Sequence, residues 1–127
     1  MIEPRDLAVQ ALYSMDTHPQ STALEELDGK ARRLVEGVLE HIQSLDDSIE
    51  KAARHWRLVR MPAVDRAILR MALFELRYIS ETPAAVVISE AVRIAKAYST
   101  ERSGNFVNGV LAKLTETERE GEVRDEV

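Results

Sequence analysis

The segment that decides the fold spans residues 62–79 and reads PAVDRAILRMALFELRYI. Its apolar residues recur every three or four positions, which is the period of one face of an α-helix. Pro62 favours a helix start, because proline is tolerated in the first turn, where a missing N–H costs no hydrogen bond. The segment therefore predicts an amphipathic helix with the inward residues Val64, Ile68, Met71, Ala72, Leu76 and Ile79.

Two further helices are predicted towards the carboxyl end. Pro83 opens the first, and Ser103 is the predicted N-cap of the second, since serine side chains accept hydrogen bonds from the first turn. The inward residues of the first are Val87, Ile88, Ala91, Val92, Ala95 and Tyr98. Those of the second are Phe106, Val107, Val110, Leu111 and Leu114. The Glu-rich sequence that follows predicts an acidic, flexible tail over residues 118–127.

The same period continues on the amino-terminal side of the segment. Pro4 opens a helix with the inward residues Leu7, Ala8, Ala11, Leu12 and Met15. Ser21 or Thr22 can cap a short second helix, which Asp28-Gly29 ends. A long apolar seam over residues 34–56 then predicts either one bent helix or two helices that meet near Ser44.

These patterns specify a fold class. No stretch of the sequence alternates apolar and polar residues as a half-buried strand does, and no internal repeat of fixed period is visible. Helix starts at prolines, joined by short connections, predict antiparallel neighbours. We therefore predict an all-α fold, a compact antiparallel bundle of about six or seven helices. It forms one domain over residues 1–117, with two small subdomains at approximately 1–57 and 62–117.

The charge of the chain bears on its partners. The formal net charge of −5 argues against a nonspecific nucleic-acid binder, which usually carries a basic excess. The stretch between Lys51 and Lys96 nevertheless holds enough arginines for a local basic face. Within it, Arg66 and Arg70 repel each other at i,i+4 spacing. An ordinary surface network, an anionic partner or a nearby carboxylate such as Glu75 would compensate that repulsion.

Composition and motifs also exclude several classes of function. Without cysteine the chain has no disulfide and no thiolate site. The glycines form no phosphate-binding loop, and the histidines have no partner at metal-ligand spacing. Ser103 has no general base near it in the sequence that could activate it as a nucleophile. No signal peptide and no bilayer-spanning apolar run are visible. We therefore expect a cytoplasmic helical binding module, with no enzymatic activity, cofactor, metal or membrane association.

Four residues allow two interpretations each. Asn105 and Asn108 fit either local caps in a hydrogen-bonded junction or catalytic amides, and the first is favoured because asparagine prefers helix starts for local reasons. Phe106 and Tyr13 fit either packing against the core or stacking on nucleic-acid bases. Their neighbours in sequence do not decide between these alternatives.

Three segments resemble the NusB (N-utilization substance B) family. They are AVQALY at 8–13, DRAILR at 65–70 and FVNGVL at 106–111, and ISEAV at 88–92 also fits the family order. The resemblance implies an all-α fold of two subdomains and a role in transcription antitermination in ribosomal RNA operons. It also implies that the protein pairs with NusE, a small-subunit ribosomal protein, and that the heterodimer binds boxA-type single-stranded RNA and acts on RNA polymerase.

Family positions transfer to this chain residue by residue. The resemblance places the RNA surface on Arg5, Tyr13, Arg102, Asn105 and Phe106. It places the partner surface on Asp65 and, as a weaker candidate, Glu75.

The chain departs from the family pattern at several of these positions. Its start, Met1-Ile2-Glu3-Pro4-Arg5, lacks the family's arginine-rich stretch, which implies fewer phosphate contacts and weaker salt dependence. Arg102 is basic at a position where the family often has an acidic residue, and Asn105 is neutral where a basic residue is common. Ala84-Ala85 stands where the family often has an aromatic residue and a lysine. A second hypothesis is therefore a NusB-fold homodimer or protein-interaction module with weakened RNA binding. A third hypothesis is a domain attached to a ribosomal RNA methyltransferase. It is disfavoured because this sequence shows no cofactor-binding fold.

Overall fold

The computed structural model describes residues 2–54 and 56–124, with their side chains except those at positions 123 and 124. This part of the chain is helical and contains no strand, which confirms the predicted fold class. None of its helices is long and apolar enough to cross a membrane. The helices are α1 (Pro4–Thr17), α2 (Gly29–Glu40), α3 (Ile42–Ala52), α4 (Ala63–Tyr78), α5 (Ala84–Tyr98), α6 (Glu101–Glu118) and α7 (Glu120–Arg124).

Helix α4 lies at the centre of the bundle, where it packs against α1, α2, α3, α5 and α6. Its predicted inward residues Ile68, Met71 and Leu76 are buried, but Leu69 and Leu73 are buried as well. The prediction of a single inward face was too narrow. More of the surface of α4 is buried because neighbouring helices cover it on several sides. Apolar residues from α1 to α6 form one continuous core, and the division into two subdomains stays a prediction.

The apolar seam over residues 34–56 forms two helices, the second of the two alternatives. Helix α2 ends at Glu40 and α3 begins at Ile42, so the break lies at His41 and not at Ser44. The predicted short helix before the seam is a 3₁₀ turn at Ala23–Glu26. A second 3₁₀ turn, Leu58–Arg60, joins α3 to α4.

The start of α6 differs from the prediction. The helix begins at Glu101, and the side chain of Thr100 caps it by accepting a hydrogen bond from the backbone N–H of Ser103 at 3.0 Å. Ser103 is therefore a capped residue in the first turn and not the N-cap. Asn105 and Asn108 lie inside the helix and are exposed, so neither serves as a cap at its start.

The segment predicted to be a flexible tail is helical as far as residue 124, and residues 125–127 of that prediction lie outside the described residues. Arg119 is buried between α6 and α7 and donates hydrogen bonds to the backbone oxygens of Leu76 at 2.7 Å and Ile79 at 3.0 Å. Leu76 lies in the last turn of α4, where no helical N–H follows to bond its carbonyl, and Ile79 is the residue directly after the helix. The arginine thus docks the segment onto α4, which the Glu-rich composition concealed.

Candidate nucleic-acid interface

A cavity of about 570 Å³ opens between the start of α4 and the start of α6, and we call it the α4–α6 cavity. Its apolar wall includes Trp56, Met61 and Phe106, and its polar lining includes Asp65 and Arg102. The fold thus brings two predicted RNA residues and the main predicted partner residue to one place, although they lie about 40 positions apart in the sequence.

Asp65 is the unusual group in this cavity. It lies in the first turn of α4 with only 2% of its surface exposed, and its Oδ1 has no hydrogen-bond partner among the described residues. Burial raises the pKa of the Asp65 carboxyl above its ordinary value, and a hydrogen bond with the Ser103 side chain partly opposes this. A buried acceptor without a donor is costly, so this carboxyl would gain from an incoming N–H group.

The outer part of the site is formed by exposed side chains at the start of α6. Arg102 and Asn105 are exposed, and Phe106 is half-buried. The ring of Trp56 meets that of Phe106 edge-on, with 6.2 Å between centroids and 67° between planes. Cation, amide and aromatic faces together suit the phosphates and bases of single-stranded nucleic acid.

Trp56 is a residue that the sequence analysis misplaced. The seam predicted it to face the core, but it follows α3 and is 52% exposed. Its large apolar surface in solvent, beside a second aromatic ring, is the property that marks it as a functional candidate. The apolar spacing could not show this, because α3 ends at Ala52 and the helical period no longer applies.

Arg5 and Glu75 have a different environment from the one expected of surface contacts. Arg5 is 9% exposed and Glu75 is fully buried, and they form a bidentate pair with Nε–Oε2 at 2.7 Å and Nη2–Oε1 at 2.8 Å. The pair raises the pKa of Arg5, mainly through the hydrogen bonds to Glu75. It joins α1 to α4, and neither side chain is open to solvent as a direct contact with RNA or protein requires.

Asp6, the next residue, anchors α1 to α5. Its carboxylate accepts hydrogen bonds from Arg93 Nη2 at 2.8 Å and from the Tyr98 hydroxyl at 3.1 Å. The Arg93 guanidinium, followed by the Tyr98 hydroxyl, holds the pKa of Asp6 below its ordinary value against the opposing effect of burial. Tyr98, predicted to face inward, is instead largely exposed, since its hydroxyl reaches this pair from outside.

Tyr13 is exposed on α1, which packs chiefly against α2 and α4. It is not among the residues that line the α4–α6 cavity. Among the described residues, the predicted RNA set therefore divides into an exposed group on α6, a separate aromatic on α1 and a buried arginine.

The repulsion between Arg66 and Arg70 is compensated by carboxylates other than Glu75. Arg66 pairs with Asp16 at 2.9 Å, and Arg70 pairs with Asp46 at 2.8 Å. Of the three alternatives, the structure supports an intramolecular ion-pair network, and the suggestion of Glu75 as the compensating group was wrong.

Comparison with known proteins gives consistent matches. A model of the NusB family matches residues 2–116. The transcription antitermination protein NusB of Geobacillus kaustophilus is 41% identical over 120 residues, covering 88% of this chain and 92% of its own. The NusB protein of Lysinibacillus sphaericus is 36% identical over 125 residues, covering 91% of this chain and 97% of its own.

Solved structures agree with these relatives. NusB of T. maritima superimposes with a TM-score of 0.80 at 34% identity, covering 92% of this chain and 94% of its own. A chain from a crystal structure of the antitermination factors NusB and NusE in complex with dsRNA gives a TM-score of 0.75 at 29% identity, covering 87% and 92%.

Proposed function

This chain belongs to the NusB family, and from that membership we propose that it is a transcription antitermination factor. It binds boxA-type single-stranded RNA together with NusE and joins the RNA polymerase antitermination complex on ribosomal RNA operons. It acts in the cytoplasm, by binding and not by catalysis. The solved complex of the antitermination factors NusB and NusE with dsRNA supports NusE and RNA as the partners.

One observation carries the RNA assignment: the start of α6 presents Arg102, Asn105 and Phe106 beside the exposed ring of Trp56. Aromatic faces stack on bases, and arginine binds phosphate oxygens. Tyr13 on α1 supplies a second, separate aromatic contact. Arg5 contributes indirectly, since its pair with Glu75 fixes the position of α1.

The partner assignment rests on Asp65. Its buried carboxyl borders the α4–α6 cavity and lacks a donor for one oxygen within the described chain. We assign the missing donor to NusE, because a donor from a bound partner would satisfy this oxygen and remove the cost of its burial. Glu75 supports the same helix from inside through Arg5 and makes no direct contact with the partner.

Titration of labelled boxA RNA tests the proposal. The chain alone should bind weakly, and NusE should increase both the affinity and the preference for boxA over a scrambled RNA of equal length. Phe106→Ala should weaken binding roughly five-fold or more, since loss of one base-stacking aromatic has that effect. Equal affinity for boxA and scrambled RNA, with no gain from NusE, would refute the proposal.

The alternative is a NusB-fold homodimer or interaction module with weakened RNA binding. The burial of Arg5 favours it, because the cation nearest the chain start is held by Glu75 and contributes no phosphate contact. Light scattering after size exclusion separates the hypotheses. A stable dimer that fails to bind boxA RNA with NusE present would favour this second function.

A further inference from the structure

The cations around the end of α3 differ from the arginines that bind carboxylates inside the fold. Arginines such as Arg66, Arg70 and Arg77 bind carboxylates within the described part of the chain. Arg54 and Lys113 are exposed and form no ion pair with any described residue. Unneutralised cations that line one groove with aromatic rings suit an anionic ligand that also carries bases.

These two cations lie in one groove between the end of α3 and the outer face of α6, the α3–α6 groove. It has a volume of about 470 Å³ and is lined by residues that include Arg54, Trp56, Phe106, Gly109 and Lys113. Trp56 and Phe106 also line the α4–α6 cavity, so the aromatic pair is shared by both. The groove is therefore continuous with the proposed RNA surface, but the buried carboxyl of Asp65 does not line it.

The spacing along α6 places four of the relevant residues on one helical face. Arg102, Phe106, Gly109 and Lys113 follow one another at intervals of four, three and four positions. A Cβ added at Gly109 would meet no neighbouring atom of the described residues within 4 Å. Glycine destabilises a helix interior relative to alanine, and no described neighbour requires it here. Its effect is to leave the groove floor open between an aromatic ring and a lysine.

We propose that the α3–α6 groove binds single-stranded RNA outside the boxA element, as a sequence-independent extension of the boxA site. The shared rings of Trp56 and Phe106 stack on bases where the two sites meet. Beyond them Arg54 and Lys113 contact phosphates, and Gly109 lets the strand approach α6. These groups read ring faces and phosphates and not base edges, so they confer affinity without sequence preference. The inference rests on the proposed function and adds a subsite to it.

The test compares a minimal boxA RNA with the same RNA extended at either end by an unrelated single strand, using the full chain with NusE. The extension should increase affinity for the wild type. Arg54→Ala/Lys113→Ala should remove most of that increase. It should also make the slope of log K against log salt concentration shallower by about 0.7 per lost phosphate contact. Lys30→Ala/Arg33→Ala removes the same charge from exposed positions on α2 and should leave the increase intact.

Three more variants separate binding from folding. Gly109→Leu should fold at least as stably as the wild type, since the position is open and leucine favours helix, yet lose affinity for the extended RNA. Gly121→Leu on α7, where an added Cβ is equally free, is the matched control. Trp56→Ala should weaken binding of the extended RNA roughly five- to one-hundred-fold.

The outcomes distinguish this subsite from the proposed function. If boxA is preferred but the groove variants keep the full gain from the extension, the subsite is wrong and the function stands. If boxA is not preferred but the gain exists and depends on Arg54, Lys113 and Gly109, the subsite stands and the function is wrong. Absence of RNA binding by the wild type would overturn both.

Discussion

The buried pair of Arg5 and Glu75 yields a prediction that separates a structural arginine from an RNA-binding one. Glu75→Gln keeps the side-chain shape but leaves the Arg5 charge without its bidentate partner. Breaking a buried pair in this way costs about 3–5 kcal/mol. Glu90, whose Oε1 lies 3.9 Å from Arg5 Nη1, partly offsets the loss, so we expect a destabilisation of about 3 kcal/mol.

Arg5→Met/Glu75→Leu is the matched variant, because it removes both charges and keeps apolar groups of similar volume. Its free energy of unfolding should lie within about 1 kcal/mol of the wild-type value, because replacing both partners of a buried pair by apolar residues is often nearly neutral. Urea denaturation at pH 7 measures both variants, and the loss in Glu75→Gln should appear in thermal melts as a decrease in Tm of roughly 10 °C.

Binding of boxA RNA with NusE completes the experiment. Since the structure commits Arg5 to Glu75, the double variant should bind RNA within about threefold of the wild type. A stable double variant that binds more than tenfold weaker would show that Arg5 contacts RNA directly. Glu75→Gln with unchanged stability would refute the assignment of a structural role to the pair.

Two other predictions concern the ends of the chain. The Arg93 ion pair holds the pKa of Asp6 low, so its stabilisation is complete above about pH 4 and is lost as the pH falls towards the lower pKa of the folded state. The urea midpoint should therefore decline more steeply below pH 4 in the wild type than in Asp6→Asn; parallel declines would contradict this. Arg119→Met should cost about 1–3 kcal/mol, because it leaves the Leu76 carbonyl at the end of α4 without a donor, whereas the Ile79 carbonyl keeps the Thr82 N–H. Glu116→Ala, exposed on α6, is the control, and equal urea midpoints for the two variants would show that the segment after α6 does not stabilise α4.

The helices themselves could be predicted from the sequence because helix formation is local. Pro4 stands at the first turn of α1, and Pro62 and Pro83 stand immediately before α4 and α5. Each fixes its own φ and lacks an N–H, so its effect needs no knowledge of the rest of the chain. The exposed residues of the candidate site on α6 were named through the family resemblance, which the neighbouring segment FVNGVL at 106–111 helps to carry.

Close approach between helices could not be predicted in this way. A Cβ on Gly37 of α2 would overlap the ring of Phe74 on α4, so glycine is what allows these two helices to pack this closely. In the sequence Gly37 is an unremarkable residue inside an apolar seam. Its requirement arises from a ring 37 positions away.

The sequence by itself therefore determined the helical class, most helix starts and the family resemblance, since these depend on residues within a few positions of one another. The tertiary structure alone decided which charged groups are internal. Arg5 meets Glu75 across 70 positions and Asp6 meets Arg93 across 87, so their burial depends on how α1 packs on α4 and α5. For the same reason Arg5, a predicted RNA contact, is buried against Glu75. Trp56, predicted to face the core, is exposed because α3 ends at Ala52 before reaching it.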